Sequence, residues 1–288
     1  MKRTRASQTA MGTAALRALE SAKPATERMC DDPYARSFVP TGFYLQVKLF
    51  ARLAPPRSRG ALTFVLVRCR YIDEYLGDRL HTGTTQVVIL GAGLDSRAYR
   101  GELLSRAIKT FEVDHPATQA GKIERVKKVL GTLPPHVVYV SLDFNQETLD
   151  CLLVSGFDQR HLTLFIWEGV TLYLEQEAIE ATLAWIRFHA CPGSAIIFDY
   201  QDTSTLSGRH RGYAVLNRLT GEKRIFGMEP EQMEAFLRER GFTQVVNAPA
   251  GQLEHLYCTG PNQGRRMAHY YSIVHAEVGK KEGEVGQS

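Results

Sequence analysis

The residues most able to do chemistry stand at the ends of apolar runs. Val87-Val88-Ile89-Leu90 leads directly into Gly91-Ala92-Gly93 and then Leu94-Asp95-Ser96-Arg97. Glycines at such a junction permit a tight turn and let a ligand approach the backbone where helix N–H groups point outward. The third glycine of the dinucleotide-binding fingerprint is missing, and Asp95-Ser96-Arg97 occupies that space. A carboxylate there repels a pyrophosphate, so the loop favours a ligand without phosphates.

Three more chemical groups follow in chain order. Glu112-Val113-Asp114 closes the next apolar run, about 20 residues on, where a doubly wound fold presents an acid to a ribose diol. Leu142-Asp143-Phe144 sets an acid beside an aromatic ring, which suits the exocyclic amine and flat face of an adenine. Glu168 ends a fourth run, Leu162 to Trp167, and a carboxylate at that edge can hold an ammonium group. Each acid alone is also what a strand end or helix cap uses. Taken in order, they describe a ligand with adenine, ribose and an ammonium group but no phosphate, which is S-adenosyl-L-methionine.

The elements needed to position these groups are legible as alternating periodicities. Short β-branched runs at Gln86–Leu90, Thr110–Val113, His136–Val140, Thr163–Ile166 and Ala195–Phe198 read as strands. Helical patterns lie between them at Ser96–Ala107, Pro116–Leu130, Gln146–Val154 and Gln176–His189, each long enough for a crossover. That rhythm predicts an α/β fold with a doubly wound, mostly parallel sheet. A helix over Glu229–Arg240, capped by Gly241, precedes two late strands at Thr243–Val246 and Tyr270–Val278, for seven in all.

Before the sheet comes a different kind of sequence. Residues 1–60 have helical stretches at Met11–Ser21 and Tyr44–Leu53, broken by Pro24, Pro33, Pro40 and the Pro55-Pro56 pair. An amphipathic helix then runs from Ala61 to Leu80. The expected organisation is a helical lid at 1–60, a ligand-binding domain at 61–278 and a tail at 279–288. The preface could equally be ordinary packing against the sheet, or a cover that closes over the ligands and shuts out water.

The chain resembles the leucine carboxyl methyltransferase superfamily, in particular its bacterial branch of S-adenosyl-L-methionine-dependent methyltransferases. The resemblance rests on Thr9-Ala10 through Arg17-Ala18-Leu19-Glu20, Asp32-Pro33-Tyr34-Ala35, Arg68-Cys69-Arg70-Tyr71-Ile72-Asp73, Leu90 to Arg100, Glu112 to Pro116, and Glu168 to Leu174. It implies a class I, Rossmann-like methyltransferase sheet with a helical lid over the active site. It also implies that Gly91 and Gly93 line the methionine moiety, Asp114 holds the ribose, Asp143 and Phe144 bracket the adenine, and Glu168 meets the amino end. An arginine on the helix before the first strand takes the cofactor carboxylate in this family; Arg68 matches best and Arg70 second. The stretch after Asp143 lacks the basic residue and tryptophan usual in the bacterial branch, and residues 201–224 match no substrate signature.

Methyl transfer from a sulfonium needs alignment and dryness more than a covalent nucleophile. A carboxylate acceptor is already ionised and needs only a cation or hydrogen bond to orient it; Arg70, Arg97 or Tyr173 could serve. A phenol or alcohol would call for a base, for which His210 is better placed than His115. Phe226 could line the acceptor pocket or belong to the core. The expected activity is therefore O-methylation of a small-molecule carboxylate or hydroxyl. Two other classes are compatible with such a sheet: a nicotinamide-dependent oxidoreductase, which the missing glycine and Asp95 disfavour, and a non-catalytic adenosylmethionine-binding protein.

Composition narrows the setting. With 288 residues, 44% hydrophobic and 23% charged, the chain is an ordinary folded protein long enough to bury a large core without staples. No apolar run approaches the roughly 20 residues a membrane span needs, so no membrane partner is expected. The net charge of +4 comes from basic residues interleaved with acids, not from basic runs, so nucleic acid is a poor candidate partner. Five scattered cysteines, Cys30, Cys69, Cys151, Cys191 and Cys258, show no metal-site spacing. With no secretion signal legible, a reducing cytoplasm is the expected location.

Overall fold

The computed structural model describes residues 8–144, 146–206 and 224–280. Helix α1 spans Gln8–Ser21, α2 Ala35–Phe38, α3 Thr41–Leu53 and α4 Pro56–His81. Strand β1 (Gln86–Leu90) follows, then a 3-10 turn at Arg97–Tyr99, α5 (Gly101–Ser105), β2 (Lys109–Asp114), α6 (Pro116–Leu130) and β3 (Val137–Ser141). The rest of the chain contributes α7 (Cys151–Val154), β4 (Thr163–Trp167), α8 (Gln176–His189), β5 (Ala195–Gln201), α9 (Pro230–Glu239), β6 (Phe242–Pro249), α10 (Ala250–Tyr257) and β7 (Tyr271–Val278).

The seven strands form one sheet in the order β3-β2-β1-β4-β5-β7-β6. Strands β1 to β5 pair in parallel, and β7 runs antiparallel to both β5 and β6. Every residue of β1, β4 and β5 is buried, as central strands covered on both faces must be; their unbroken apolar character in the sequence has this cause. One face carries Val87, Ile89, Leu164 and Ile166 against α4 and α10, with Phe64, Ile72 and Leu253. The other carries Val88, Phe111, Phe165 and Trp167 against Ile179, Leu183 and Ile186 of α8. The chain leaves β1 toward β2 on one side and reaches β4 on the other. The switch point between β1 and β4 is where such sheets open a crevice at their carboxyl edge.

Local chemistry sets the helix bounds. Pro56 and Pro116 stand in the first turns of α4 and α6, where a missing N–H costs nothing. Gly131, at φ +79°, ends α6. Two expected helices are cut short. Ser96–Ala107 divides into the 3-10 turn and α5, because Arg100 is extended (φ −141°, ψ 167°) and Gly101 is left-handed (φ +56°). Of Gln146–Val154 only Cys151–Val154 is helical. There the Glu147 carboxylate accepts the Asp143 N–H at 2.8 Å and Thr148 donates to Asp150 at 2.8 Å, the side-chain competition that favours turns over helix.

The preface packs onto the sheet edge. Ala14, Ala15 and Phe38 share a cluster with Tyr99 and Val126, and Phe38 meets the Tyr99 ring edge-on at 6.1 Å. Helix α3 buries no residue fully and exposes Leu45, Leu49, Phe50 and Leu53.

Candidate active site

The site begins at the turn after β1. Gly91 and Gly93 are left-handed, at φ +67° and +46°. A Cβ on Gly91 would lie 2.3 Å from Val170 Cγ2, and one on Gly93 would lie 3.1 Å from Ala10 Cβ. Backbone conformation and close neighbours thus both require glycine here. The Gly93 N–H donates to Asp114 Oδ2 at 2.5 Å, and the His115 N–H donates to Asp114 Oδ1 at 2.6 Å. The glycine turn and the acid at the end of β2 are therefore one hydrogen-bonded unit. Burial pushes the Asp114 carboxyl up, against the pull of these two N–H groups. Each oxygen keeps a lone pair for a further donor.

Behind β3, Asp143 receives Gln146 Nε2 at 2.9 Å, and the Phe144 ring lies 6.1 Å from that of Trp167. Leu142, Phe144, Thr148, Ala178 and Trp185 border a cavity of about 230 Å³. The loop after β3 thus faces α8 across a space bordered by two aromatic residues, Phe144 from the loop and Trp185 from the helix.

Between β1 and β4 lies a buried network of charges. Arg68, on α4, donates Nε to Glu168 at 3.1 Å and Nη1 to Asp199 at 2.5 Å. Arg97 donates Nε to Asp73 at 2.6 Å, and its Nη1 serves both Asp95 at 2.5 Å and Glu168 at 2.6 Å. Arg100 reaches the other oxygen of Asp73 at 2.9 Å. From the preface, Arg17 binds Asp32 at 2.8 Å and the Leu94 carbonyl at 2.7 Å, while Asp32 accepts Ser96 Oγ at 2.6 Å.

Four arginines here meet five carboxylates (Asp32, Asp73, Asp95, Glu168 and Asp199), so the network carries one negative charge in excess. Burial alone would raise the Glu168 carboxyl, but Arg97 and Arg68 hold it below the ordinary range. Asp95 is likewise held low against its burial, chiefly by Arg97, Lys122 and Arg17. Asp199 goes the other way, because its burial outweighs Arg68 and the Gly169 N–H.

The sequence-derived candidates divide into three groups. Arg68, Gly91, Gly93, Asp114 and Glu168 gather at the carboxyl edge of the central strands, and Arg97 joins them. Its Nε and Nη1 are spent on three carboxylates and its Nη2 points to the Cys69 carbonyl at 3.3 Å, so the role of orienting an acceptor does not fit its geometry. Asp143 and Phe144 lie on the neighbouring loop. Arg70 occupies another face of α4, binding Glu74 at 2.7 Å and covering the Tyr257 ring at 5.1 Å, which separates it from Arg68. Tyr173 sits in the 3-10 turn after Gly169, partly buried. Phe226 is buried in a cluster with Met233 and Phe236, which agrees with the core alternative of its two readings. His210 lies outside the described residues.

Arg17, Asp32 and Asp73 stood in the family motifs of the sequence without a role assigned to them, and Asp199 was not singled out at all. Asp199 could have been found as the one charge inside the apolar run of β5, Ala195–Gln201.

Strand order, direction and the switch-point site define a class I, Rossmann-like methyltransferase fold. The leucine carboxyl methyltransferase family model matches residues 10–187, and the chain belongs to that family. A Bacillus subtilis protein named "Putative S-adenosyl-L-methionine-dependent methyltransferase YktD" is 37% identical over 145 residues, covering 50% of this chain and 47% of that protein. This chain thus spans about half the length of that relative. A Streptomyces coelicolor protein of the same description, SCO6443, is 32% identical over 256 residues, covering 84% of this chain and 82% of its own. Among solved structures, the apo form of the S-adenosylmethionine-dependent methyltransferase SibL overlays 95% of this chain and 70% of its own at 16% identity and a TM-score of 0.46. No helix among the described residues is long and apolar enough to cross a membrane.

Proposed function

We propose that the chain is an S-adenosyl-L-methionine-dependent methyltransferase that methylates an oxygen, a carboxylate or hydroxyl, of a small molecule. The observation that carries this reading is the direct bond from the Gly93 N–H to Asp114. It joins the glycine turn to a carboxylate that keeps lone pairs for a ribose diol. Family membership and the relatives' names support the same cofactor.

The residues present suit that group. Glu168, whose oxygens each accept one arginine, keeps lone pairs for an ammonium, Arg68 keeps its Nη2 for a carboxylate beside its bonds to Glu168 and Asp199, and Phe144 offers a face to an adenine. The network's single excess negative charge matches a ligand that carries a sulfonium, an ammonium and one carboxylate. Asp95, buried among these groups, would oppose a pyrophosphate, which weighs against a nicotinamide cofactor. When bound, the cofactor supplies a methyl group already activated as an electrophile.

The protein's work is then to orient the acceptor and exclude water. The preface, tied to the glycine turn through Arg17 and the Leu94 carbonyl, is proposed as the cover, and residues 61–278 as the catalytic domain. No histidine among the described residues bonds to the Arg68–Arg97–Glu168 network. His115 instead caps α6, its Nδ1 accepting the Ala117 N–H at 3.3 Å. An acceptor that arrives ionised, such as a carboxylate, needs no base.

Transfer of labelled methyl from adenosylmethionine to a metabolite extract tests the reaction. Label released by base marks an ester; base-stable label marks an ether. Calorimetry should give micromolar binding of adenosylhomocysteine and far weaker binding of NAD, and the reverse order would sink the proposal.

A further inference from the structure

Helix α3 is apolar on both sides but covered on only one. Phe43, Tyr44, Val47 and Ala51 pack inward, against the clusters that hold Ala14, Phe38 and Phe64. Four residues along a helix turn the side chain by only about 40° beyond a full circle. Leu45, Leu49 and Leu53 therefore form one line, on the side away from Val47. They are 55%, 59% and 70% exposed, and Phe50 beside them is 47% exposed. Single exposed apolar residues are ordinary on a protein surface, whereas a contiguous row marks a surface that meets something.

One flank of this line is basic. Lys48 and Arg52, four residues apart, occupy the neighbouring row of the helix and are both exposed. Neither makes a hydrogen bond or ion pair with a described residue. At the start of the same flank Arg36 lies over the Tyr44 ring at 4.5 Å and donates Nη2 to Thr41 at 2.9 Å. Elsewhere in the chain basic and acidic residues are interleaved, but no acid stands between Asp32 and Asp73. The outer face of α3 thus combines an apolar line with positive charge that nothing on the helix offsets.

We propose that this face docks on an anionic lipid bilayer, with α3 lying flat among the headgroups. Its leucines turn toward the acyl chains, and Lys48 and Arg52 meet lipid phosphates and carboxylates. The proposal goes beyond the methyl-transfer reading and does not depend on it. Thirteen residues make a helix of about 20 Å, too short to cross the bilayer. The expected absence of a membrane partner rests on the lack of a spanning run, which a helix in the plane of the surface does not need. A second copy of the chain is a poorer occupant. Pairing this face with itself would set Lys48 and Arg52 against the same two cations, with no acid on either helix.

Co-sedimentation of the full chain with lipid vesicles tests this. Phosphatidylcholine mixed with phosphatidylserine at about three to one is expected to bind at least roughly tenfold more tightly than phosphatidylcholine alone, and added salt should shrink the difference. Leu49→Ser combined with Leu53→Ser should weaken binding to the mixed vesicles about tenfold or more. Lys48→Gln combined with Arg52→Gln should weaken it by a similar factor, about tenfold. Leu256→Ser, which replaces an exposed leucine of α10, should leave it unchanged. All the replaced side chains are already exposed, so melting temperatures should stay at the parent value. The proposal is overturned if the mixed vesicles bind no protein, if they bind no better than phosphatidylcholine, or if the α3 variants bind as well as the parent. It is equally overturned if Leu256→Ser weakens binding as much as they do. A dimer that forms without lipid and is lost in the leucine variant would overturn it too, marking a second copy as the occupant.

Discussion

Glu168 bridges two arginines that come from different parts of the chain, Arg68 on α4 and Arg97 on the turn after β1. Glu168→Gln keeps its shape and removes the charge that Arg68 Nε and Arg97 Nη1 both contact, so each buried guanidinium loses one charged partner. Breaking a buried pair costs about 3–5 kcal/mol, so urea unfolding should show a loss of that order. Asp114→Ala acts elsewhere, removing the carboxylate proposed to bind the ribose. Charge-assisted hydrogen bonds are worth about 1.5–3 kcal/mol, a weakening of roughly 10- to 100-fold in adenosylhomocysteine affinity. An unchanged affinity would remove Asp114 from the cofactor site. The sequence exposed Asp114 and Glu168 because each ends an apolar run. Arg17 and Asp32 gave no such signal: their partners, Leu94 and Ser96, lie 77 and 64 residues away, and no periodicity connects them.

At the scale of elements, α4 is held to the sheet by more than apolar packing. The Tyr75 ring stacks on His275 of β7 at 4.1 Å, and burial, with a contribution from Arg79, lowers the His275 imidazole to about 4. Below its ordinary value of 6.5 the unfolded chain takes up this proton first. The stabilisation is therefore complete above pH 6.5 and lost as the pH falls toward about 4. Melting temperatures across that window should fall less steeply in His275→Gln than in the parent chain. The preface makes a separate test possible: if it covers the ligands, adenosylhomocysteine should slow hydrogen exchange in α1, and unchanged exchange there would remove it as a lid. The strands were legible because continuous β-branched runs have few alternatives. The helix over Ser96–Ala107 was not, because its periodicity could not show that Ser96, Arg97 and Arg100 are recruited as side chains by α4 and the preface.

Across the whole molecule, acid should be the condition that loosens the site. Arg97 and its neighbours hold Glu168 and Asp95 below ordinary carboxylate values despite burial. Their stabilisation is present above the unfolded value near 4 and is lost as the pH falls through the depressed folded values. Unfolding free energy measured by urea should therefore decline below about pH 4, and the decline should be shallower in Glu168→Gln. The class of sheet and the order of its acids could be read from the chain as a whole, since both follow from alternation along it. The position and direction of β7 could not, because an eight-residue apolar strand looks the same whichever neighbour it joins.

That position has a consequence for how the protein is made. β6 leaves the ribosome before β7, yet β7 is the strand that joins it to the sheet, lying between β5 and β6. During that interval β6 has no strand to pair with, and the β5 edge, with Ile196, Ile197 and Phe198, stands open. The nascent chain is then most vulnerable to pairing with another copy, and insertion of β7 closes both edges in a single step.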